Sequence, residues 1–194
     1  MTLNHARTRQ LDQEERQWLL RLARSTIEAR LEGQGLPQAD PSPGPLTELR
    51  GAFVTLTDAG DLRGCIGHVV GAEPLWRSVR SNAINAAFND PRFSPVTSGE
   101  LGGLTVEVSA LSPLWPLTDP HDIVIGRDGL FVELGSARGL LLPQVAKRYG
   151  WTPSQFLDQT CRKAGLEPGC WHAPDARVSA FSAEVFSEED EPSD

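Results

Sequence analysis

The sequence predicts an α+β fold with a mainly antiparallel sheet flanked by helices. Short segments of alternating apolar and polar residues, separated by turn residues, indicate antiparallel strands. The helical segments lie between them without the regular strand–helix–strand order of a doubly wound parallel sheet. With 194 residues, 39% hydrophobic and 23% charged, the composition suits one soluble domain. No apolar run is long enough to cross a bilayer and the first residues lack a secretory hydrophobic segment, so we expect a cytoplasmic protein.

The first predicted element is a helix over residues 11–32. Apolar residues recur along it at helical spacing, and Asp12 with Glu15 forms a capping box at its start. Residues 33–47 contain too many prolines and glycines for a helix or a strand. We therefore expect a long exposed loop there.

A β-hairpin is predicted next, from strands over residues 51–57 and 62–70. Because side chains alternate across a strand, Arg63 and Cys65 should share one face. Leu62 and Ile66 should then face the core, unless a bulge at a glycine breaks the register.

The following segments predict a helix and a third strand. Pro74 is expected at the first helical position, and small residues give this helix a narrow apolar face. Two prolines within residues 89–95 end it. Residues 104–111 alternate regularly, which places Glu107 on the outward face or in a cleft.

The C-terminal half is predicted to be β-rich, with one further helix. Capping residues at Thr152 and Gln155 mark the start of that helix, and Gly165 marks its end. The predicted strands are a hairpin pairing 123–125 with 130–134, a second hairpin leading to 140–142, and a last strand over 178–186.

The net charge of −8 is concentrated at the C-terminus. Six acids and no Lys or Arg lie between Glu184 and Asp194, so the rest of the chain is nearly neutral. Residues 188–194 are expected to form a disordered, solvated tail. No basic stripe with interleaved aromatic residues is present, which excludes nucleic acid as the expected partner.

The three cysteines are expected to be reduced. Cys65, Cys161 and Cys170 cannot all pair, and none belongs to a Cys-x-x-Cys unit. Cys161 lies on the apolar stripe of a predicted helix and should be in the core, and Cys170 is expected to be structural.

The most informative motif places a cysteine between two glycines: Leu62-Arg63-Gly64-Cys65-Ile66-Gly67. Two interpretations of Cys65 are open. It is a reactive or ligand-contacting thiol, since glycine in a strand marks close approach of a ligand and a neighbouring cation favours the thiolate. Alternatively, it is a small residue required by tight packing between the glycines.

The motif lies in a locally basic stretch that would suit an anionic small ligand. Its cations are Arg63, Arg77, Arg80 and Arg92. The alternative is that Arg77 and Arg80 are a solvated helix face and that Arg92 pairs with Asp90.

A metal site is not predicted at the motif. Cys65 and His68 have a spacing that can ligate a metal, but two ligands do not close a site. The further donors Glu107, His121 and His172 stand at no recognisable spacing. The sequence identifies no cofactor.

Several motifs follow one another in order: the hexapeptide, Asp90-Pro91-Arg92-Phe93-Ser94-Pro95, Val106-Glu107-Val108-Ser109-Ala110-Leu111, Gly139-Leu140-Leu141-Leu142-Pro143-Gln144-Val145 and Lys163-Ala164-Gly165-Leu166. In these motifs the chain resembles the AMMECR1 domain family over residues 11–187. The resemblance implies a larger lobe with both termini, a smaller β-rich lobe and a position for the hexapeptide near the cleft between them. Bacterial and archaeal members often occur beside a Memo-like protein and a radical SAM enzyme, which implies a shared pathway or complex (AmmeMemoRadiSam).

Two hypotheses about function follow. In the first, an inter-lobe site around residues 62–67 binds a small ligand; Cys65 and Glu107 are its catalytic candidates. The residues expected to contact the ligand match family motifs: Arg63, Gly64, Gly67, Asp90, Arg92 and Phe93. In the second, the protein is a non-catalytic adaptor or substrate-presenting subunit for the Memo-like and radical SAM partners.

Overall fold

A computed structural model describes residues 9–190. They form helices and an antiparallel sheet, which confirms the α+β prediction. The chain forms two compact units, a larger one from residues 9–111 and 184–190 and a smaller one from residues 112–183. The helices are α1 (Gln13–Leu31), α2 (Leu75–Phe88), α3 (Pro143–Tyr149) and α4 (Pro153–Lys163). The strands are β1 (Ala52–Asp58), β2 (Asp61–His68), β3 (Leu104–Leu111), β4 (Trp115–Pro116), β5 (Asp128–Leu134), β6 (Ala137–Leu141) and β7 (Arg177–Ser187).

The start of α1 is fixed by the predicted capping box. The Asp12 carboxylate accepts a hydrogen bond from the Glu15 amide, and the Glu15 carboxylate accepts one from the Asp12 amide, each at 3.0 Å. Both orphan amides are thereby satisfied. Residues 34–44 then carry no helix or strand, and a short 3-10 turn at Pro45–Thr47 follows.

In the larger unit, β1 lies between β2 and β3 and pairs antiparallel with both. One face of these strands packs with α1 and α2 into a single core. The buried residues on that face include Ala52, Val54, Leu56, Val106, Val108 and Ala110. We call the opposite face of β1, β2 and β3 the thiol face, because Cys65 lies on it.

A β-bulge in β2 corrects one prediction. Gly64 lies opposite Leu56, whereas Leu62 lies opposite Thr57, so Arg63 is the extra residue between two paired positions. Leu62 is consequently turned away from the core and is 45% exposed, and the prediction that it faces the core is wrong. Ile66, beyond the bulge, packs against the core as predicted.

Helix α2 packs closely on the sheet through small residues. It begins at Leu75, so Pro74 is the N-cap residue and not, as predicted, the first helical residue. Pro74 has an extended backbone. The Leu75 amide donates a hydrogen bond to the Glu48 carbonyl at 2.9 Å, so it does not depend on water for a partner. The buried face is the predicted one: Leu75, Val79, Ala83, Ala86 and Ala87.

In the smaller unit, β5 pairs antiparallel with β6 and β7, and β4 pairs with β7. The predicted hairpin between residues 123–125 and 130–134 is wrong. The Asp128 amide bonds to the Val124 carbonyl at 3.0 Å and its carboxylate accepts from the Val124 amide at 2.8 Å, which folds 124–128 into a turn. Helix α3 was not predicted from the sequence. It is short and buries only Pro143 and Ala146, so its apolar pattern is too brief to indicate a helix.

The expectation that all cysteines are reduced is wrong. Cys161, near the end of α4, forms a disulfide with Cys170, with their Cα atoms 5.9 Å apart. The turns after α4 bring the chain back against the helix, which sequence spacing alone does not reveal. Cys161 is fully buried, as predicted, and Cys65 is the free cysteine.

The acidic C-terminal segment begins with an ordered contact. Glu188 forms two hydrogen bonds with Arg24 of α1, at 2.5 and 2.6 Å, and its amide donates to the Val106 carbonyl. Residues 191–194 of the predicted tail lie outside the described residues.

Within residues 9–190, no helix combines the length and the apolar character that crossing a membrane requires.

Candidate functional site

Three residues form a row across the thiol face. Thr55 of β1 lies directly opposite Cys65 of β2 on one side and Glu107 of β3 on the other. Directly opposed residues share a face of the sheet. The hydroxyl of Thr55 donates a hydrogen bond to the Cys65 sulfur at 3.3 Å. The fold therefore places the two predicted catalytic candidates in one row, with Thr55 between them.

Thr55 is a site residue that sequence reasoning missed. Strand alternation places it on the outward face, which is the signal that was available. What places it beside Cys65 and Glu107 is the pairing register of three strands, two of which are separated by α2 in the chain.

Glu107 is a half-buried carboxyl that no cation among residues 9–190 pairs with. Burial raises its pKa, and the negative charge of Asp190 raises it further. Both effects disfavour the ionised form. Glu107 therefore holds a proton to a higher pH than an ordinary glutamic acid.

The glycines beside Cys65 are required by close packing. A Cβ on Gly64 would lie 2.1 Å from the backbone oxygen of Ala86 in α2, and one on Gly67 would lie 2.3 Å from the ring of Phe53. These contacts supply a structural reason for both glycines. Cys65 itself points to the thiol face and is half-buried, so its sulfur lies outside the apolar core.

Asp90 and Arg92 hold Cys65 by its backbone. The Cys65 amide donates to Asp90 Oδ2 at 2.9 Å, and Arg92 Nη2 donates to the Cys65 carbonyl at 3.2 Å. Arg92 also donates from Nε and Nη2 to the Asp90 carboxylate, at 3.0 and 2.7 Å. The side chain of Asp90 is 1% exposed, whereas that of Arg92 is 54% exposed.

The guanidinium of Arg92 holds the pKa of the Asp90 carboxyl well below its usual range. The backbone amides of Cys65 and Arg92 lower it further, and burial acts in the opposite direction. The lowering prevails because a carboxylate with several donors is favoured in its charged form. The Asp90–Arg92 pair thus stays charged at neutral pH.

Arg63 is paired in the same way. Its Nε donates to Glu100 at 2.8 Å, and its Nη2 donates to the Ser94 carbonyl at 2.9 Å. The Arg63 hydrogen bond, followed by those from Thr97, lowers the pKa of Glu100 to about 2. Both arginines of the site are therefore neutralised by carboxylates. No local signal in the sequence points to Glu100, which lies far along the chain.

Phe93 lies between these two pairs. Its ring centroid is 5.9 Å from the guanidinium carbon of Arg63 and 5.4 Å from that of Arg92. Both distances suit a cation–π contact. The predicted ligand-contacting residues thus form one connected network around Cys65.

Other candidates from the sequence lie apart from this network. His68 is exposed at the end of β2, and His121 and His172 belong to the smaller unit. In the part of the chain that the structure describes, no group of three His, Cys, Asp or Glu side chains could hold a metal. Arg77 and Arg80 stack on the ring of Trp76 in α2, at 5.1 and 5.0 Å.

Two surface concavities, of about 300 and 270 Å³, lie along α1. Arg21 and Ser25 line both of them. Neither is lined by a residue of the hexapeptide, so Cys65 lies outside both concavities.

Comparison with known proteins places this arrangement in a family. A protein from Methanothermobacter thermautotrophicus is 46% identical over 186 residues, which cover 92% of this chain and 97% of that protein. A protein from Methanocaldococcus jannaschii is 43% identical over 188 residues, which cover 93% of each. The crystal structure of an uncharacterized protein from Pyrococcus horikoshii superposes with a TM-score of 0.84 at 42% identity, covering 95% of this chain and 96% of that one. The AMMECR1 family model matches residues 20–186, and the chain belongs to the AMMECR1 family.

Proposed function

We propose that the protein binds a small molecule on the thiol face, with Cys65 as the reacting thiol and Glu107 as the group that exchanges a proton. The observation that carries the proposal is the register, which puts Cys65, Thr55 and Glu107 in one row. Adjacent strands are about 4.8 Å apart, so the outer two residues of the row are about 10 Å apart at their backbones. A carbonyl group bound above Thr55 would lie between the Cys65 sulfur and the Glu107 carboxyl.

The chemistry of the row suits a carbonyl compound. The Cys65 thiolate adds to the carbonyl carbon, and the displaced electron pair moves onto the carbonyl oxygen. That oxygen takes the proton of Glu107, which leaves a hemithioacetal and a carboxylate. Thr55 supports the thiolate by donating a hydrogen bond to the sulfur, and the raised pKa of Glu107 keeps its proton available.

The proposal does not require an anionic ligand. Arg63 and Arg92 would be the cations for such a group, but each is already paired with a carboxylate. Their contribution is to hold the strand and the loop that carry the site.

The test uses the only free thiol of the oxidised protein. Alkylation of Cys65 by iodoacetamide is followed by intact mass, with and without acetaldehyde as the carbonyl probe. We expect acetaldehyde to slow alkylation in the wild type and to protect less in Glu107→Gln and in Thr55→Val. Cys65→Ser is the control for labelling elsewhere. If acetaldehyde protected Cys65 equally in the wild type and in Glu107→Gln, Glu107 would have no part in the reaction. If it protected Cys65 in neither protein, the proposed function would be overturned.

A second candidate function is that of an adaptor for Memo-like and radical SAM partner proteins. It is favoured by Leu62, an apolar side chain on the bulge of the hexapeptide that is 45% exposed. Co-purification of the two partners with the wild type, and their loss with Leu62→Glu on the exposed bulge, would support it. Turnover of a metabolite by the isolated protein would count against it.

A further inference from the structure

Strand β2 lies at the end of the strand order β2–β1–β3, so its outer edge has no neighbouring strand among residues 9–190. At Cys65 this edge is nevertheless occupied. The Cys65 amide and carbonyl bond to Asp90 and Arg92 at 2.9 and 3.2 Å, which are the roles that a neighbouring strand would otherwise fill. Two side chains therefore replace a strand at one residue.

The contact is built to be rigid. Asp90 accepts from three groups: the amide of Cys65, the amide of Arg92 and the Arg92 guanidinium. Because the Asp90 side chain is almost fully buried, loss of any of these donors would leave its carboxylate with fewer hydrogen bonds to offset its removal from water. Charge-assisted hydrogen bonds of this kind are the strong ones in proteins.

We propose that Asp90 and Arg92 form a latch that grips Cys65 by both of its outward backbone groups and so fixes the direction of its thiol on the thiol face. They are positioning residues, which act through Cys65 and not on a ligand. The inference rests on the proposed function only for the use of the thiol; the latch itself is measurable without any ligand.

The latch has a consequence for the Thr55 contact. The hydrogen bond between the Thr55 hydroxyl and the Cys65 sulfur requires the two strands to stay in register at this point. Release of the outer edge would let β2 fray where the bulge at Arg63 already interrupts the ladder. The half-buried thiol would then become more exposed and less directed.

The smaller unit contains a matched control. Asp128 is 2% exposed and pairs through two hydrogen bonds with Arg127, whose side chain is 54% exposed, as is that of Arg92. Asp128 also accepts from a backbone amide, that of Val124. Asp128→Asn thus removes an equivalent buried carboxylate without touching Cys65.

The experiment measures Cys65 in the oxidised, ligand-free protein. The rate constant for iodoacetamide is taken at a pH where the thiolate is fully formed, and exchange of the Cys65 amide is followed by NMR. For Asp90→Asn we expect both rates to rise about tenfold or more, the size expected for loss of one charge-assisted hydrogen bond. For Asp128→Asn we expect changes of less than about twofold in both.

Equal changes in Asp90→Asn and Asp128→Asn would overturn the latch, because the effect would then reflect general stability. Unchanged rates in Asp90→Asn would also overturn it. Should Asp90→Asn fail to fold, Arg92→Lys serves instead, because lysine keeps the charge but has one nitrogen where arginine uses Nε and Nη2 together to bind Asp90 and the Cys65 carbonyl. A rise smaller than about twofold in that variant would contradict the proposal. Failure of acetaldehyde protection would reject the proposed function and leave the latch standing.

Discussion

Glu107 destabilises the fold at a residue for which we propose a role in proton exchange. Its carboxyl is half-buried, faces the charge of Asp190 and has no cation partner among residues 9–190, and its pKa is raised for these reasons. Ionising it in the folded protein therefore costs more than in the unfolded chain.

We expect Glu107→Gln to stabilise the protein at pH 7. A carboxyl whose folded pKa is raised contributes its stability below the unfolded pKa, and this is lost as pH rises through the folded value. Glutamine has no charge to bury, so the gain in stability should be present at pH 7. It should vanish below about pH 4, where the Glu107 carboxyl of the wild type is protonated in both the folded and the unfolded protein. Urea unfolding at the two pH values measures it; a loss of stability at pH 7 would contradict the assignment.

Asp90 should behave in the opposite way. Its pKa lies well below the ordinary range in the folded protein, so its contribution is present above the unfolded pKa and is lost as pH falls through the folded one. We expect the stability difference between the wild type and Asp90→Asn to be largest at neutral pH and to shrink below about pH 4. Unfolding free energies between pH 7 and pH 2 give the curve, and a difference that does not change with pH would exclude the charged pair as its source.

Among the elements, β2 carries the largest share of the candidate site. The bulge at Arg63 interrupts its pairing with β1. The next residue, Gly64, has no side chain and so lets α2 approach the strand closely. The helix and the strand are thus packed at backbone distance directly beside Cys65.

Gly64→Ala should destabilise the protein by about 3 kcal/mol, at the upper end of overpacking costs, because the added methyl would meet the backbone oxygen of Ala86 at 2.1 Å. Backbone cannot move aside as a flexible side chain can. Gly102→Ala is the matched control, since nothing lies within 4 Å of the added atom. Calorimetry of both variants checks this, and similar melting temperatures would disprove the close contact.

Elements whose signals are local were predicted from the sequence, and those set by distant contacts were not. The capping boxes at Asp12 and Thr152 mark helix starts within four residues, and both helices begin there. The bulge at Arg63 depends on the register with β1, and the Arg63–Glu100 pair depends on the path of the loop after α2. Cys65 and Glu107 were recognised as candidates, but only the paired strands show that they share a row.

At the scale of the whole molecule, the disulfide lies in the smaller unit, whereas the ion pairs of the C-terminal residues lie in the larger unit. The disulfide closes a short segment of the smaller unit, between the end of α4 and Cys170. In the larger unit, Glu184 of the last strand pairs with the buried Arg50, and Glu188, just after the strand, pairs with the partly exposed Arg24. The response to reductant and the response to loss of charge should therefore be separate.

Reduction of the disulfide should lower the stability of the protein by about 3 kcal/mol, the chain-entropy value for a closed loop of this size. The wild type in dithiothreitol should then have the same melting temperature as the double variant Cys161→Ser/Cys170→Ser. Cys65→Ser should have the same melting temperature as the oxidised wild type. Scanning calorimetry distinguishes the three, and a wild type that is insensitive to reductant would show that the link does not contribute.

The return of β7 to the larger unit depends on Glu184. Its carboxylate accepts from Arg50 Nη2 and from the Leu11 amide, each at 2.9 Å, and Arg50 is 2% exposed. Glu184→Gln would leave the Arg50 charge buried without compensation, for which we expect a loss of about 3–5 kcal/mol. Glu133→Gln is the control, because its partner Arg138 is largely exposed and such pairs contribute less than about 1 kcal/mol.

Removing both charges separates the two sources of that loss. Replacing Arg50 by Met together with Glu184 by Leu removes the ion pair and its desolvation cost at once, so the double variant should be more stable than Glu184→Gln. Urea unfolding of the two variants decides the point. If the double variant were the less stable, the pair itself, rather than the avoidance of a lone buried charge, would be what fastens the last strand beside the first helix.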